Sequence, residues 1–152
     1  TTPGQVILQT YTPEHPVIGA VQRYAFQSCV DAELQQRKAL NYPPFGQLIL
    51  FRLSSPQLER VEKTAYRIAE FLEEAIATYQ ESASAPVKAE VLGPAPANIL
   101  RVAGRFRWQL MLKLPPNLQG NSHQWILPTE EMRAFCDKDV RLTIDVDPLN
   151  LL

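Results

Sequence analysis

The spacing of hydrophobic positions changes its period along the chain. Residues 48–53 are apolar except at position 52, and the segment from residue 47 to 54 is typical of a β-strand. Over residues 58–79 the apolar side chains lie three and four positions apart, which indicates a helix with one buried face. Glutamates fill the other face of this segment. The pattern therefore predicts a strand followed by a long amphipathic helix whose acidic face is solvated.

Three more strands and a second helix are predicted downstream. Strands are expected at 87–92, 105–114 and 140–146, and a helix at 129–135. The order from residue 47 is then β-α-β-β-α-β, an α+β, ferredoxin-like split sandwich with a four-stranded sheet and two helices on one face. In this arrangement the strand at 105–114 lies in the centre of the sheet.

The segments before residue 47 have a different pattern. Residues 1–12 include a short β-branched strand signal, and residues 13–46 carry an interrupted helical signal that we interpret as a linker. Thr12 with Pro13 is typical of a helix start, and Pro43-Pro44 ends the helical signal. We expect three parts, namely 1–12, a linker at 13–46 and a compact domain at 47–152. The chain lacks an initiating Met and opens directly before a strand, so we expect a piece of a longer protein.

The strand at 105–114 alternates between apolar and polar residues, with Met111 at one of the otherwise polar positions. Side chains at even positions share one face that can be buried, and those at odd positions share the other. No Asp or Glu occurs between Val91 and Thr129. A solvated basic face could contact phosphates, although a solvated face without any ligand is the alternative for each residue. The candidate DNA-binding residues are Arg101, Arg105, Arg107 and Lys113, with Arg141 a possible addition on the last strand. Trp108 is assigned to the core instead of to base stacking.

Composition excludes several classes of function. The formal net charge of −1 means that nucleic-acid binding would need a local patch and could not come from bulk charge. Cys29 and Cys136 are far apart in apolar contexts, so we expect buried thiols and no metal site. His15 and His123 have no neighbours that suggest a nucleophile relay, and no phosphate-binding glycine loop is present. We therefore expect no catalytic residue, no cofactor, no membrane span and a cytoplasmic location.

Five segments together resemble one known family. They are residues 5–16, 33–46, 92–97, 105–110 and 145–148, in this order along the chain. The chain resembles the C-terminal portion of the primosomal protein N′ family of bacterial replication-restart DNA helicases. The resemblance implies that residues 1–12 are the last strand of the second helicase lobe. It also implies that the C-terminal domain has a fold likened to a small-subunit ribosomal protein.

The resemblance further implies a parent that is an ATP-dependent 3′→5′ helicase using ATP, magnesium and zinc through motifs upstream of this chain. This chain would then neither bind nor hydrolyse ATP. The implied partners are branched or single-stranded DNA, the acidic tail of the single-stranded-DNA-binding protein, the rest of the helicase and other primosome proteins. The family has a basic residue for that tail just after the basic strand. Residues 115–119 contain no Arg or Lys, so this sequence departs from the family there.

Three hypotheses of function follow from these patterns. The first is an accessory domain that contacts branched or single-stranded DNA through the basic strand. The second is a scaffold that braces the helicase lobes and docks a protein partner without touching DNA. The third is an unrelated RNA-binding module, which would need aromatic residues on the solvated face of the central strands. The basic strand has Arg, Gln, Met and Lys at those positions, which disfavours the third hypothesis.

Overall fold

A computed structural model describes residues 4–82, 88–115 and 129–149. Within these residues, two helices precede a region of four strands and two further helices. The elements are α1 (Pro16–Gln22), α2 (Phe26–Ala39), β1 (Gln47–Ser55), α3 (Leu58–Ser82), β2 (Glu90–Val102), β3 (Arg105–Leu114), α4 (Thr129–Ala134) and β4 (Arg141–Val146).

Within the described residues, the strands form one antiparallel sheet in the order β2-β3-β1-β4. The predicted α+β class with a four-stranded sheet is confirmed, and this strand order is consistent with the split β-α-β-β-α-β arrangement. β1 and β3 occupy the centre, as expected. Their register pairs Leu53 with Trp108 and Ser54 with Arg107, so each pair projects from one face of the sheet.

One face of the sheet packs against the helices. The predicted stripe of α3 lies on this face, where Val61, Ile68 and Leu72 are fully buried. Met132 of α4 joins the same cluster, and the Phe71 and Phe135 rings meet edge to face at 5.3 Å. Both helices therefore cover one face, which we call the helix face. We call the opposite side the second face.

The β2–β3 hairpin corrects one prediction. The segment from Gly93 to Val102 was expected to be a connection, and the structure places it within β2. Two irregularities interrupt its pairing with β3, between Leu92 and Ala95 and between Pro96 and Arg101. Extra residues in one strand bulge out of the ladder, which explains how a segment with two prolines and a glycine still pairs with its neighbour.

The linker also differs from the prediction. α1 begins one turn later than the Thr12-Pro13 signal suggested, with His15 as the N-cap and Pro16 in the first turn. Residues 5–10 form no strand in this structure, and Val6 is 93% exposed. Their place as the last strand of a helicase lobe stays a prediction. α2 contains no buried residue.

Some expectations lie outside the described residues. These are most of the loop at 82–86, the segment 116–128 with His123, and the polar stretch at 119–124. Among the described helices, none combines the length and the apolar character that crossing a bilayer requires.

Candidate nucleic-acid interface

The second face of the sheet carries the polar side chains of β1, β3 and β4 in rows. One row places Arg107 and Arg141 on either side of Ser54. The next places Gln109 and Thr143 on either side of Arg52. Neighbouring strands are about 4.8 Å apart, so Arg107 and Arg141 are separated by about 10 Å at the backbone. We call Arg107, Ser54 and Arg141 the arginine row.

The two arginines of this row are available to a ligand. Arg107 is half-buried and Arg141 is exposed. Neither guanidinium makes a hydrogen bond or an ion pair with another residue in the described part of the chain. Two guanidinium groups on one face, each with five donors and no paired carboxylate, suit an anion such as phosphate.

Arg105 has a different environment from Arg107, although both belong to β3. Its Nε donates to the Ser54 Oγ at 3.1 Å, and its Nη2 donates to two backbone carbonyls at 2.7 Å, those of Ser54 and Asp139. Arg105 thus joins β3 to β1 and to the turn before β4. It also fixes Ser54 in the middle of the arginine row.

Two further cations on the second face are neutralised by carboxylates. The Lys113 ammonium lies 3.6 Å from Glu90, and its side chain is only 17% exposed. The Tyr42 ring of the linker lies over it, 5.7 Å from the ammonium to the ring centroid. Arg52 pairs with Asp145 at 3.2 Å. The basic face of β3 is therefore not solvated along its whole length, because Glu90 and Tyr42 cover its Lys113 end.

Arg101 does not share the second face. It pairs in register with Phe106, whose side chain packs against the core on the helix face. Its guanidinium lies over the Phe106 ring, 4.9 Å from the centroid. The four candidate residues therefore do not form one surface. Arg107 remains open on the second face, Arg105 and Lys113 have protein partners there, and Arg101 lies on the other side.

Trp108 is 7% exposed and packs beside Tyr66 with ring centroids 6.0 Å apart, which confirms its assignment to the core. No role was predicted from the sequence for Arg52 or Ser54, both of which belong to the second face. The available signal was that Arg52 and Ser54 are polar and two positions apart, on the same face as Leu50, in a largely apolar segment. That signal is weak because both faces of β1 are largely buried.

The two cysteines are half-buried and free. Burial raises the pKa of the Cys136 thiol, and the negative charge of Asp137 adds to the effect. Across the described ranges, no group of three or more His, Cys, Asp or Glu side chains is placed to hold a metal ion.

Comparison with known proteins gives one consistent family. The family model described as "Primosomal protein N C-terminal domain" matches residues 38–149. The replication restart protein PriA of Synechocystis is 46% identical over 149 residues, covering 98% of this chain and 16% of the relative. Proteins of the same name are 35% identical in Treponema pallidum and 28% identical in Bacillus subtilis, over 98% and 99% of this chain and 21% and 18% of the relatives.

The chain thus spans about a fifth or less of the length of these relatives. The family model begins near the end of α2 and continues through β4, so it includes the whole sheet and the arginine row. From this match and the 46% identity to the Synechocystis protein, the chain belongs to the C-terminal part of the PriA replication restart protein family.

Proposed function

We propose that this chain is the C-terminal accessory part of a replication-restart helicase and that its second face contacts the phosphates of branched or single-stranded DNA. The observation that carries the proposal is the arginine row, where Arg107 and Arg141 face one side without a described carboxylate partner. Contacts of this kind position a protein on DNA without reading its sequence.

The candidate residues have different roles in this proposal. Arg107 is retained, and Arg141 joins it as a second phosphate contact. Arg105 is a positioning residue in this proposal, because its donors are used within the protein. Lys113 contributes little charge beside Glu90. Arg101 would contact DNA only if the DNA wrapped around the edge of the β2–β3 hairpin.

The parent in this proposal is an ATP-dependent 3′→5′ DNA helicase of the cytoplasm that works with other primosome proteins. Its ATP, magnesium and zinc sites would lie in the part of the relatives that this chain does not cover. Residues 1–12 would complete the second helicase lobe, and residues 13–46 would link it to the domain at 47–152. The chain itself would have no ATPase activity, and the tail of the single-stranded-DNA-binding protein would bind elsewhere than residues 115–119.

The test is the salt dependence of DNA binding. Fluorescence anisotropy measures the affinity of the chain for a labelled fork and for single-stranded DNA over a series of NaCl concentrations. Each phosphate contact contributes about 0.9 to the slope of log affinity against log salt for duplex, and about 0.7 for single strands. The double variant Arg107→Ala, Arg141→Ala should therefore lower the slope on single strands by about 1.4.

Lys38→Ala provides the matched control, since Lys38 is an exposed cation of α2 outside the second face. This control should leave the slope unchanged. An equal slope for the double variant and the unmodified chain would reject the arginine row as a phosphate site.

A scaffold role is the second candidate, and a separate observation favours it. Large apolar side chains of the N-terminal part are exposed, including Ile7, Tyr11, Tyr24 and Phe26. Exposed apolar surface of this extent is typical of a protein interface. Hydrogen exchange on a full-length relative would test the role. Protection of α1 and α2 without DNA would support docking, and rapid exchange of both helices would argue against it.

A further inference from the structure

A shallow depression lies on the second face next to the arginine row. It has a volume of about 180 Å³ and is formed by the irregular part of β2 together with β3 and β1. Its lining residues are Leu50, Leu92, Gly93, Ala95, Gln109, Leu110 and Met111. We call it the bulge pocket.

The bulge pocket exists because β2 has one more residue than β3 over this stretch. Leu92 pairs with Met111 and Ala95 with Gln109, so three steps along β2 oppose two along β3. Gly93 takes a positive φ of 96° within the bulge. A Cβ at Gly93 would lie 3.1 Å from the Gln109 carbonyl oxygen, so the backbone comes close to β3 there only without a side chain.

The lining combines apolar surface with one amide. Leu50 is almost fully buried beneath the pocket, and Leu92 and Met111 are partly exposed beside it. The thioether of Met makes favourable contacts with aromatic rings. The Gln109 side chain offers both donors and an acceptor, which can pair with the edge of a heteroaromatic ring.

Position relates the pocket to the proposed phosphate site. Gln109 is two residues from Arg107 on the same strand and the same face, which places their backbones about 7 Å apart. A ligand that fills the bulge pocket and also reaches Arg107 must have a flat, partly apolar ring joined by a short linkage to an anionic group. The volume is below the roughly 300–1,000 Å³ of pockets for drug-sized ligands, and it suits one ring system.

We propose that the bulge pocket holds one unpaired nucleobase of single-stranded DNA whose phosphate lies on Arg107. This inference rests on the proposed function and adds a preference to it. A paired base in a duplex is stacked and cannot reach a shallow site on a sheet, so the pocket favours single-stranded over duplex DNA. The absence of an aromatic residue in the lining predicts a contact that tolerates different bases and is weaker than aromatic stacking.

The first test needs no variant. The chain is titrated with an oligothymidine and with an abasic strand of the same length, which has the same phosphates but no bases. We expect the oligothymidine to bind about five-fold more tightly, near the lower end of the contribution of one base contact. Equal affinities would overturn the proposed base contact in the bulge pocket. If log affinity still falls with log salt as expected for phosphate contacts, the phosphate proposal would stand. Failure to bind either strand would reject both.

Filling the pocket provides the second test. Ala95 is exposed, so Ala95→Leu should place its larger side chain in the pocket without disturbing the core. We expect this variant to bind the oligothymidine and the abasic strand equally, with abasic binding unchanged. Ala77→Leu is the matched control, because Ala77 is an exposed residue of α3 on the other side of the sheet.

Two results would decide against the pocket at this stage. The first is an Ala95→Leu chain that keeps the five-fold preference for the oligothymidine. The second is loss of that preference in the Ala77→Leu control as well, which would show that the effect does not arise at the bulge pocket. A base-dependent photo-cross-link from 5-iodouracil to the 109–111 segment would support the proposal directly, and a cross-link confined to α1 or α2 would contradict it.

Discussion

Arg105 and Arg107 are two residues apart on β3, yet the structure predicts opposite consequences when each is replaced. Arg105→Ala removes three hydrogen bonds, to the Ser54 Oγ, the Ser54 carbonyl and the Asp139 carbonyl. Arg107→Ala removes no bond to a described residue. Replacing Arg105 should therefore lower stability, and replacing Arg107 should affect only ligand binding.

The expected magnitude follows from the three bonds. Hydrogen bonds that involve a charged group contribute about 1.5–3 kcal/mol each when they are well sequestered. Arg105 is half-exposed, and water can replace the donors to both carbonyls once the side chain is gone, so most of that contribution is compensated. We expect a net loss of about 2 kcal/mol in the free energy of unfolding. At about 4 °C per kcal/mol for a domain of this size, the melting temperature should fall by about 8 °C.

Thermal and urea unfolding followed by circular dichroism would measure both variants. Arg107→Ala should melt within about 2 °C of the unmodified chain, as expected for a surface substitution. The salt slope of DNA binding should change in the opposite order, with the larger decrease in Arg107→Ala. Equal loss of stability in the two variants, or none in Arg105→Ala, would refute the distinction between a positioning arginine and a ligand-facing one.

Other substitutions test the rest of the fold. Gly46→Ala should destabilise the chain by about 2 kcal/mol or more in urea unfolding, because a Cβ there would clash with the Asn41 carbonyl and lie 2.9 Å from the Leu114 carbonyl. Met132→Ala should cost about 2–5 kcal/mol in the same assay if α4 is part of the core; a cost under 1 kcal/mol would show that it is not. In a Cys29→Ser chain at pH 8, the remaining thiol of Cys136 should react with Ellman's reagent more slowly when folded than in urea, since its raised pKa lowers the thiolate fraction. Because folding raises that pKa, the stability that the neutral thiol contributes is fully present at low pH and declines as the pH rises past the ordinary pKa of a cysteine. The free energy of unfolding of the Cys29→Ser chain should therefore fall between pH 8 and 10.

The sequence alone predicted most of the fold because local periodicity encodes it. The spacing of apolar residues in α3 and the alternation in β3 identified both elements and the buried position of Trp108. The β-α-β-β-α-β order then led to the antiparallel sheet with β1 and β3 at its centre. Proline and glycine signals were less reliable, since the bulged half of β2 has the composition of a loop but pairs as a strand.

Only the tertiary structure decided which basic side chains are available. Arg105 and Arg107 follow the same alternation and flank the same residue, Phe106, but the turn before β4 supplies a carbonyl to Arg105 and not to Arg107. Glu90 reaches Lys113 across a strand pair, and Arg141 joins Arg107 through β1. These relations depend on strand register and on contacts between residues far apart in the chain, which periodicity does not encode. The sequence therefore determined where the charges lie along the strands, and the packing of those strands determined which charges remain free to bind.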